Sequence, residues 1–327
     1  MRAVQLHGFE GIKSLKLVDI GKPQPGEGEV LIAVKAAGMN YAEVEQIHGK
    51  YPTFGKEVPF VMGFEAAGVV VDTGAGVTQF KAGDPVAALV SSGGYAEFAI
   101  APAQAVIPLP TAITFPEATT IPIQGMTAYT ILKYLVMPVA HESLLIQAAA
   151  GGVGLYLVQI AKLFGIKNVI ALASSDEKLE LVKTLGADVV INYSKPAWAE
   201  KVRQSTQGQG VDVVLQMSSD KVGEESFKLT APGGRIVLFG AKNYHDSIST
   251  EQVRQLIWQN QSLVGFAYPA LPPERIAESL PDFLKLIEEK KVKIFANQVF
   301  PFSQAPQAFE ALSSRQTIGK VVLTPES

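Results

Sequence analysis

The chain has 327 residues, of which 47% are hydrophobic and 18% charged, and its formal net charge is −3. These values exclude a disordered or fibrous chain, and the slightly acidic balance gives no reason to expect nucleic acid or an anionic membrane as a partner. Cysteine is absent, which excludes disulfides and thiolate metal sites. The length fits two domains, and because no apolar signal-peptide core is visible, we expect a cytoplasmic protein.

The first 120 residues have the pattern of a β-rich domain. Polar and apolar residues alternate in segments such as Val30–Ala36 and Ala67–Val71, and glycines and prolines separate these segments. The C-terminal segment returns to this pattern, with a helix near Pro281–Glu289 and a last strand at Lys320–Leu323. Such an arrangement predicts a barrel-like domain whose two parts are separated in the sequence.

The segment Leu144–Asp176 carries the strongest signal in the chain. It reads as an apolar strand, a glycine turn, a helix and a second apolar strand, the order of a βαβ unit that holds a dinucleotide pyrophosphate. Gly151, Gly152 and Gly154 let the backbone approach the phosphates, although the first glycine of the full motif is replaced by Ala149. Two other interpretations stay open: a structural turn without a ligand, and a membrane span over the 18 uncharged residues that begin the unit.

Strands and helices continue to alternate after this unit. An amphipathic helix is predicted over Asp176–Leu185, and further strands are predicted at Val189–Tyr193, Val211–Met217, Arg235–Gly240 and Ser262–Tyr268. Together they form a doubly wound parallel sheet of six strands, so the fold class is α/β. We therefore predict a nucleotide-binding domain at residues 125–262, inserted into a β-rich domain made of residues 1–124 plus 263–327.

Eight segments carry a family resemblance in one collinear order: 36–52, 63–70, 81–89, 93–98, 125–129, 148–154, 185–193 and 318–323. They read AAGMNYAEVEQIHGKYP, GFEAAGVV, KAGDPVAAL, GGYAEF, GMTAY, AAAGGVG, LGADVVINY and IGKVVL. The chain resembles the medium-chain dehydrogenase/reductase superfamily, and within it the zinc-free quinone oxidoreductase (zeta-crystallin-like) branch. The resemblance implies a Rossmann-type domain inserted into a GroES-like barrel, and a homodimer formed through the sixth strand.

The same resemblance argues against a zinc site. Zinc-dependent members of the superfamily bind the metal through cysteine and histidine. Here Met39 stands just before Asn40, and the Gly-His-Glu type of motif reads Gly63-Phe64-Glu65. We therefore expect no metal, and oxidation of alcohols by zinc is disfavoured.

The end of the second predicted strand indicates which nicotinamide is used. An NAD enzyme needs an acidic residue there to accept hydrogen bonds from the ribose 2′-hydroxyl, and this chain has Ala173. Hydroxyl and ammonium groups follow, and they suit a 2′-phosphate. In relatives the matching positions surround that phosphate, which implies NADPH bound by Ser174, Ser175, Lys178, Tyr193 and Arg315. A plainer interpretation makes Lys178 a solvated helix lysine and Asp176 an N-cap, and Asp176 also weakens the positive potential.

The remaining cofactor contacts are implied by the resemblance alone. Gly152 and Val153 would meet the pyrophosphate, while Phe239 and Gly240 would pass near the nicotinamide ribose. The nicotinamide end would be surrounded by Asn40, Tyr41, Thr127, Tyr129 and Phe266. A packing role stays open for the aromatic members of this set, and the segment beginning at Gln216 departs from the family pattern.

The expected chemistry is reduction of a quinone or an α,β-unsaturated carbonyl compound. The product can take its proton from water or a nearby hydroxyl, so no strict general acid is required. Asn40 is a candidate for polarising the substrate carbonyl, and Tyr51 is the best candidate hydroxyl, although each could be structural. The alternatives are an alkenal or enoyl-thioester reductase, and an NADPH-binding protein with little turnover, structural or RNA-contacting.

Overall fold

The computed structural model describes residues 1–110, 112–137, 139, 141–218, 220–245 and 247–326. The chain forms two compact units. Unit 1 is Met1–Ile123 together with Ile294–Ser327, and unit 2 is the intervening segment Gln124–Lys293. One unit is therefore inserted into the other.

The N-terminal part of unit 1 is mostly extended chain. Its strands are β1 Arg2–Leu6, β2 Leu15–Asp19, β3 Glu29–Met39, β4 Phe60–Val61, β5 Glu65–Thr73, β6 Pro85–Leu89, β7 Phe98–Pro102 and β8 Val106–Pro108. Two short helices, α1 Tyr41–Gln46 and α2 Phe115–Ala118, lie among them. The predicted strands Val30–Ala36 and Ala67–Val71 fall inside β3 and β5.

Unit 2 alternates helices and strands. Its helices are α3 Met126–Ile131, which lies between two π-helical turns, then α4 Gly152–Leu163, α5 Asp176–Thr184, α6 Trp198–Ser205, α7 Lys221–Lys228, α8 Thr250–Trp258 and α9 Pro273–Glu288. Its strands are β9 Ser143–Ile146, β10 Asn168–Ala173, β11 Val189–Asn192, β12 Val211–Gln216, β13 Thr230–Leu238 and β14 Ser262–Gly265. The apolar strand faces pack on the helices, because residues such as Leu145, Ile170 and Val214 belong to one buried cluster.

The six strands of unit 2 form one parallel sheet in the order β11-β10-β9-β12-β13-β14. The chain leaves β9 in one direction to build β10 and β11, and returns to the other side of β9 to build the last three strands. The crevice outside the carboxyl ends of β9 and β12 is therefore the place where a doubly wound sheet binds its ligand. The predicted six-stranded α/β fold is confirmed.

Unit 2 continues past residue 262, the predicted domain boundary, and ends at Lys293. Helix α9 packs against α3, and Phe283 of α9 lies 5.9 Å from the ring of Tyr129 and 5.5 Å from that of Tyr156. The predicted helix at Pro281–Glu289 is the second half of this longer helix. Its buried contacts attach the segment after β14 to helices α3 and α4 of unit 2.

The chain then returns to unit 1 through β15 Gln298–Pro301, α10 Ala305–Ser313 and β16 Val321–Thr324. Strand β16 pairs antiparallel with β3 and places Val321 opposite Met39. The larger sheet runs β15-β16-β3-β5-β6-β8, with β7 also paired to β3, and a small sheet runs β2-β1-β4. This pairing carries residues near the C-terminus to the end of β3, where Asn40 follows.

No helix in the described part of the chain is long and apolar enough to cross a membrane. The run of uncharged residues that begins at Leu144, and that suggested a membrane span, is divided between β9, a buried strand of the sheet, and α4.

Candidate functional site

The glycine turn connects β9 to α4 within a very small space. Ala148 has a φ of 49°, and its carbonyl accepts a hydrogen bond of 2.8 Å from the Gly151 N–H. A Cβ on Gly154 would lie 2.4 Å from the same carbonyl oxygen. The first bond within the helix runs from Leu155 N–H to the Gly151 carbonyl, so the N–H groups of residues 152–154 precede it and can face an anion.

Gln124 lies against this turn, and sequence reasoning missed it. A Cβ on Gly152 would lie 2.2 Å from the Gln124 side-chain amide. Gln124 is 7% exposed, and its Oε1 is buried with no hydrogen-bond partner among the described residues. Gln124 therefore places an unpaired polar atom directly against the backbone of the glycine turn, which suits a polar ligand bound at this turn.

Two further side-chain amides lie near the carboxyl ends of the sheet strands, the buried Gln147 directly after β9 and the partly buried Asn243 after β13. Gln147 Oε1 accepts hydrogen bonds from the N–H groups of Met217 at 3.0 Å and Ser218 at 3.2 Å. Asn243 Nδ2 donates to the carbonyls of Gln216 at 2.9 Å and Phe239 at 2.8 Å. These bonds hold the segment that departs from the family pattern. The sequence signal for Gln147 is an amide directly after an apolar strand, whereas Asn243 lies beyond the end of β13 and has no such signal.

Four residues of the predicted 2′-phosphate site lie together at the ends of β10 and β11. Ser175 Oγ caps α5 by accepting a 3.4 Å bond from the Lys178 N–H, and the Ser174 carbonyl accepts a 3.0 Å bond from Ser194 Oγ. The Tyr193 N–H donates to the Ala173 carbonyl at 3.1 Å. Partial burial lowers the pKa of Lys178. The fifth predicted residue, Arg315, belongs to unit 1, where it follows α10 with a φ of 57°.

The carboxylate of Asp176, next to this group, is bound to other residues of unit 2. Lys195 Nζ lies 2.6 Å from Asp176 Oδ2, and Asn192 Nδ2 donates to Asp176 Oδ1 at 2.9 Å. The hydrogen bond from Lys195 is the main cause of a lowered pKa at Asp176. Asp176, which weakens the positive potential expected around a 2′-phosphate, therefore has its charge offset by Lys195.

The structure also brings Phe239, Gly240 and Phe266 together at the carboxyl edge of the sheet. Leu238 and Gly265 are register partners, and the Phe266 N–H donates to the Leu238 carbonyl at 2.9 Å. Gly240 needs its glycine, because its φ is 86°. The Phe239 side chain is buried, so packing accounts for much of its environment.

Thr127 and Tyr129 are both buried on α3. The Tyr129 ring lies 5.7 Å from that of Phe164, which caps the C-terminal end of α4, and its hydroxyl donates to Asp282 at 3.3 Å. The glycine turn is at the other end of α4, a helix of 12 residues and therefore about 18 Å long. The structure does not bring the Tyr129 ring to the glycine turn, and its contact with a cofactor stays a prediction.

Unit 1 contains a buried polar cluster around Asn40, which is the N-cap of α1. The Asn40 Nδ2 donates to Glu65 Oε2 at 2.8 Å, and Asn40 Oδ1 accepts from Lys320 Nζ at 2.9 Å. Lys320 also forms a short ion pair with Glu65 Oε2, and both of these side chains are 0% exposed. Sequence reasoning missed both charged residues, whose sole signal is a charge at the start of an apolar segment.

Glu43 binds the backbone N–H of Asn40. Its Oε2 accepts the Asn40 N–H at 2.6 Å, and its Oε1 accepts the Phe64 N–H at 3.1 Å. Burial raises the pKa of Glu43 to about 7, against the opposing effects of Tyr95, the Asn40 N–H and Lys320. Burial also raises the pKa of Tyr95. The spacing from Asn40 to Glu43 is that of a capping box, which could have identified this contact from the sequence.

Tyr51 lies in a small aromatic group of unit 1. Its ring centroid is 6.2 Å from that of Phe54 and 6.3 Å from that of Phe64, and the two phenylalanines are 5.8 Å apart. Phe54 is 55% exposed with a φ of 52°, whereas Phe64 is buried beside Glu65. Tyr41 is half-buried and packs on the main core of unit 1.

Among the described residues, no group of three or more histidines and carboxylates could hold a metal ion.

Two family models match the chain. Residues 26–111 match the alcohol dehydrogenase GroES-like domain, and residues 152–289 match the zinc-binding dehydrogenase family. Among curated proteins, the quinone oxidoreductase of Rattus norvegicus is 33% identical over 326 residues, which cover 99% of this chain and 97% of the rat protein.

Solved structures agree with these matches. The quinone oxidoreductase of Escherichia coli, solved in complex with NADPH, superposes with a TM-score of 0.92 at 29% identity and covers 99% of this chain and 100% of its own. The enoyl reductase CurK superposes with a TM-score of 0.89 at 28% identity, with 99% of each chain covered. The resemblance predicted from the collinear motifs is therefore confirmed, and the chain belongs to the quinone oxidoreductase branch of the medium-chain dehydrogenase/reductase superfamily.

Proposed function

We propose that this protein is an NADPH-dependent, zinc-independent reductase of quinones or α,β-unsaturated carbonyl compounds. The observation that carries the proposal is the end of β10. Ala173 leaves no carboxylate to bind a 2′-hydroxyl, Ser174, Ser175 and Lys178 lie together there, and Asp176 is paired with Lys195. The matches to quinone oxidoreductases, one of them solved with NADPH, support the same cofactor.

The residues present fit the cofactor. The helix N-terminus formed by Gly151, Gly152, Val153 and Gly154 would bind the pyrophosphate, because its N–H groups precede the first helical bond and three of its four residues carry no Cβ to cover them. Lys178 and Arg315 would bind the 2′-phosphate with Ser174, Ser175 and Tyr193. NADPH supplies a hydride from C4 of its nicotinamide when it is bound.

The residues proposed to contact the substrate belong to unit 1. An amide N–H of Asn40 would donate to the carbonyl oxygen that gains negative charge as the hydride is transferred. The Tyr51 hydroxyl would deliver or relay the proton, which solvent can also supply. The rings of Tyr51 and Phe54 offer flat apolar surface of the kind that a planar quinone stacks on, which favours quinones.

One alternative substrate class has a specific observation in its favour. The likeness to the enoyl reductase CurK extends over the whole chain, so an enoyl thioester is a second candidate acceptor. Stopped-flow loss of NADPH absorbance, measured with matched panels of quinones, enals and enoyl thioesters, separates the two. We expect the largest kcat/KM with a quinone. Tight NADPH binding without oxidation by any member of the panels would contradict both reductase assignments.

We also propose that the chain forms a homodimer through β14. This strand ends the sheet order of unit 2, and its outer edge has no strand partner in the described residues. The preceding helix α8 exposes Ile257 at 69% and Trp258 at 82%. Light scattering after size exclusion should give twice the 34.9 kDa mass of the chain. The Phe266 N–H faces β13, so the N–H of Gly265 faces the outer edge, and Gly265→Pro, which removes that donor, should weaken the association. A monomer mass for the unmodified protein would refute this proposal.

A further inference from the structure

The Asn40 side chain is bound at both ends by buried charges. Glu65 Oε2 accepts a hydrogen bond from the amide nitrogen, and Lys320 Nζ donates one to the amide oxygen. The space for the lysine exists because residue 38 is glycine: a Cβ there would lie 2.4 Å from Lys320 Cε and 2.9 Å from Glu65 Oε2.

This arrangement fixes which way the amide points. The oxygen and nitrogen of an asparagine side chain have nearly the same shape, so packing alone does not distinguish the two orientations. A flip of Asn40 would place its oxygen against the Glu65 carboxylate and its N–H groups against the Lys320 ammonium. Both contacts would be repulsive in a site without solvent.

A buried ion pair is weak evidence for stability, because desolvation of the charges offsets their attraction. The pair around Asn40 nevertheless joins β5 to the residue that precedes β16, and it uses only one oxygen of Glu65. The other oxygen, Oε1, accepts the Ile123 N–H at 2.8 Å and holds the backbone. The two oxygens of Glu65 therefore have separable roles, one in the fold and one at the amide of Asn40.

We propose that Glu65 and Lys320 are positioning residues for the reaction. They lock the Asn40 amide so that its second Nδ2 hydrogen, the one not given to Glu65, is held toward the substrate carbonyl oxygen. This inference rests on the proposed function. In the step that it assists, the hydride adds to the acceptor, the electron pair of the reduced π-bond moves to oxygen, and Asn40 donates to that oxygen before solvent protonates it.

The variant that tests this proposal is Glu65→Gln/Lys320→Met. It removes both charges together, so that neither Glu65 nor Lys320 is left as a buried ion without the other, and it keeps an oxygen at position 65 for the Ile123 N–H. The matched control is Glu142→Gln/Arg235→Met, which removes a half-buried ion pair of 2.7 Å in unit 2. Circular dichroism and thermal unfolding establish that both variants are folded at the assay temperature.

The first readout is kinetic. We expect the Glu65/Lys320 variant to lose about 10- to 100-fold in kcat, a part of what a lost oxyanion donor costs, while the Kd for NADPH changes little. The primary isotope effect with NADPH deuterated at C4 should rise, because hydride transfer becomes slower than the other steps. The control variant should keep kcat and the isotope effect. Unchanged kcat and isotope effect in the Glu65/Lys320 variant would overturn the positioning role.

The second readout does not depend on activity. Selective ¹⁵N-asparagine labelling, with the Asn40 side-chain signals assigned by Asn40→Ser, reports the number of orientations of the Asn40 amide and the exchange of its protons. We expect one slowly exchanging pair of side-chain protons in the unmodified protein, and a second or averaged set in the Glu65/Lys320 variant. One unchanged set in both proteins would also overturn the proposal. Absence of turnover in the unmodified protein with every acceptor would instead refute the proposed function, and the NMR result would still stand.

Discussion

Asp176 and Lys195 form an ion pair of 2.6 Å at the end of the parallel sheet of unit 2, 19 positions apart in the chain. The pair explains how an acidic residue can stand next to the proposed site for a 2′-phosphate. With the lysine in place, the carboxylate adds little net repulsion toward a second anion nearby.

The first prediction concerns this compensation. Lys195→Gln should weaken NADPH binding about threefold at low ionic strength and leave NADH binding unchanged, because an uncompensated Asp176 repels the phosphate and screening is weak. Fluorescence titration of both nucleotides in low and high salt measures the effect. Lys285→Gln, which changes an exposed lysine of α9, is the control. An equal loss for NADPH and NADH would show that Lys195 acts through the fold.

The second prediction concerns the cationic residues assigned to the 2′-phosphate. Replacing Lys178 and Arg315 together by alanine should raise the Kd for NADPH by roughly tenfold or more per lost contact, since hydrogen bonds to charged groups are worth about 1.5–3 kcal/mol each. NADH affinity should change far less. Lys183→Ala in the last turn of α5 should leave both constants unchanged. Parallel losses for the two nucleotides would contradict the assignment.

The third prediction separates folding from binding within the glycine turn. A Cβ on Gly154 would meet only backbone atoms, at 2.4–2.8 Å, so Gly154→Ala should lower the free energy of unfolding by about 1–3 kcal/mol. A Cβ on Gly151 would lie 3.2 Å from the Ala148 carbonyl oxygen, so Gly151→Ala should cost less stability. Denaturant unfolding measures both, and equal losses would mean that the turn relaxes freely.

Gly152→Ala should behave differently from both of these variants. Its Cβ would meet the side-chain amide of Gln124, which can move, so the cost in stability should be small. The same Cβ lies beside the first N–H groups of α4 and should raise the Kd for NADPH. Unchanged affinity would argue against a phosphate at this turn.

The fourth prediction follows from Glu43. Burial raises its pKa from an ordinary 4.5 to about 7, so the folded state keeps a proton that the unfolded state loses. The contribution to stability is fully present below pH 4.5 and is lost as pH rises through about 7, by roughly 3 kcal/mol at most. Tyr95, Lys320 and Glu65 are the other titratable groups that act on it.

Denaturant unfolding between pH 5 and 8, at constant ionic strength, tests this fourth prediction. The profile of Glu43→Gln should be flatter than that of the unmodified protein over the same range, because its amide does not titrate. Identical slopes for the two proteins would mean that Glu43 ionises in the fold as it does in water.

Several features could be predicted from the sequence because they depend on residues close together in the chain. The βαβ unit is visible from apolar runs and glycines, and Ala173 shows the missing acid without any tertiary information. The absence of cysteine is a matter of composition. The segment after β14 was harder to assign, because α9 joins unit 2 through contacts of Phe283 with Tyr129 and Tyr156, which lie more than a hundred residues earlier.

Other features were decided by the tertiary structure alone. Lys320 meets Asn40, 280 positions earlier, only because β16 pairs with β3, and Lys195 meets Asp176 only because β11 lies beside β10. A local pattern records which face of a strand or helix is apolar, but strand order determines which distant side chains share a buried site. The sequence by itself therefore determined the fold class and the type of cofactor site, and the pairing of distant strands decided which charges surround Asn40 and Asp176.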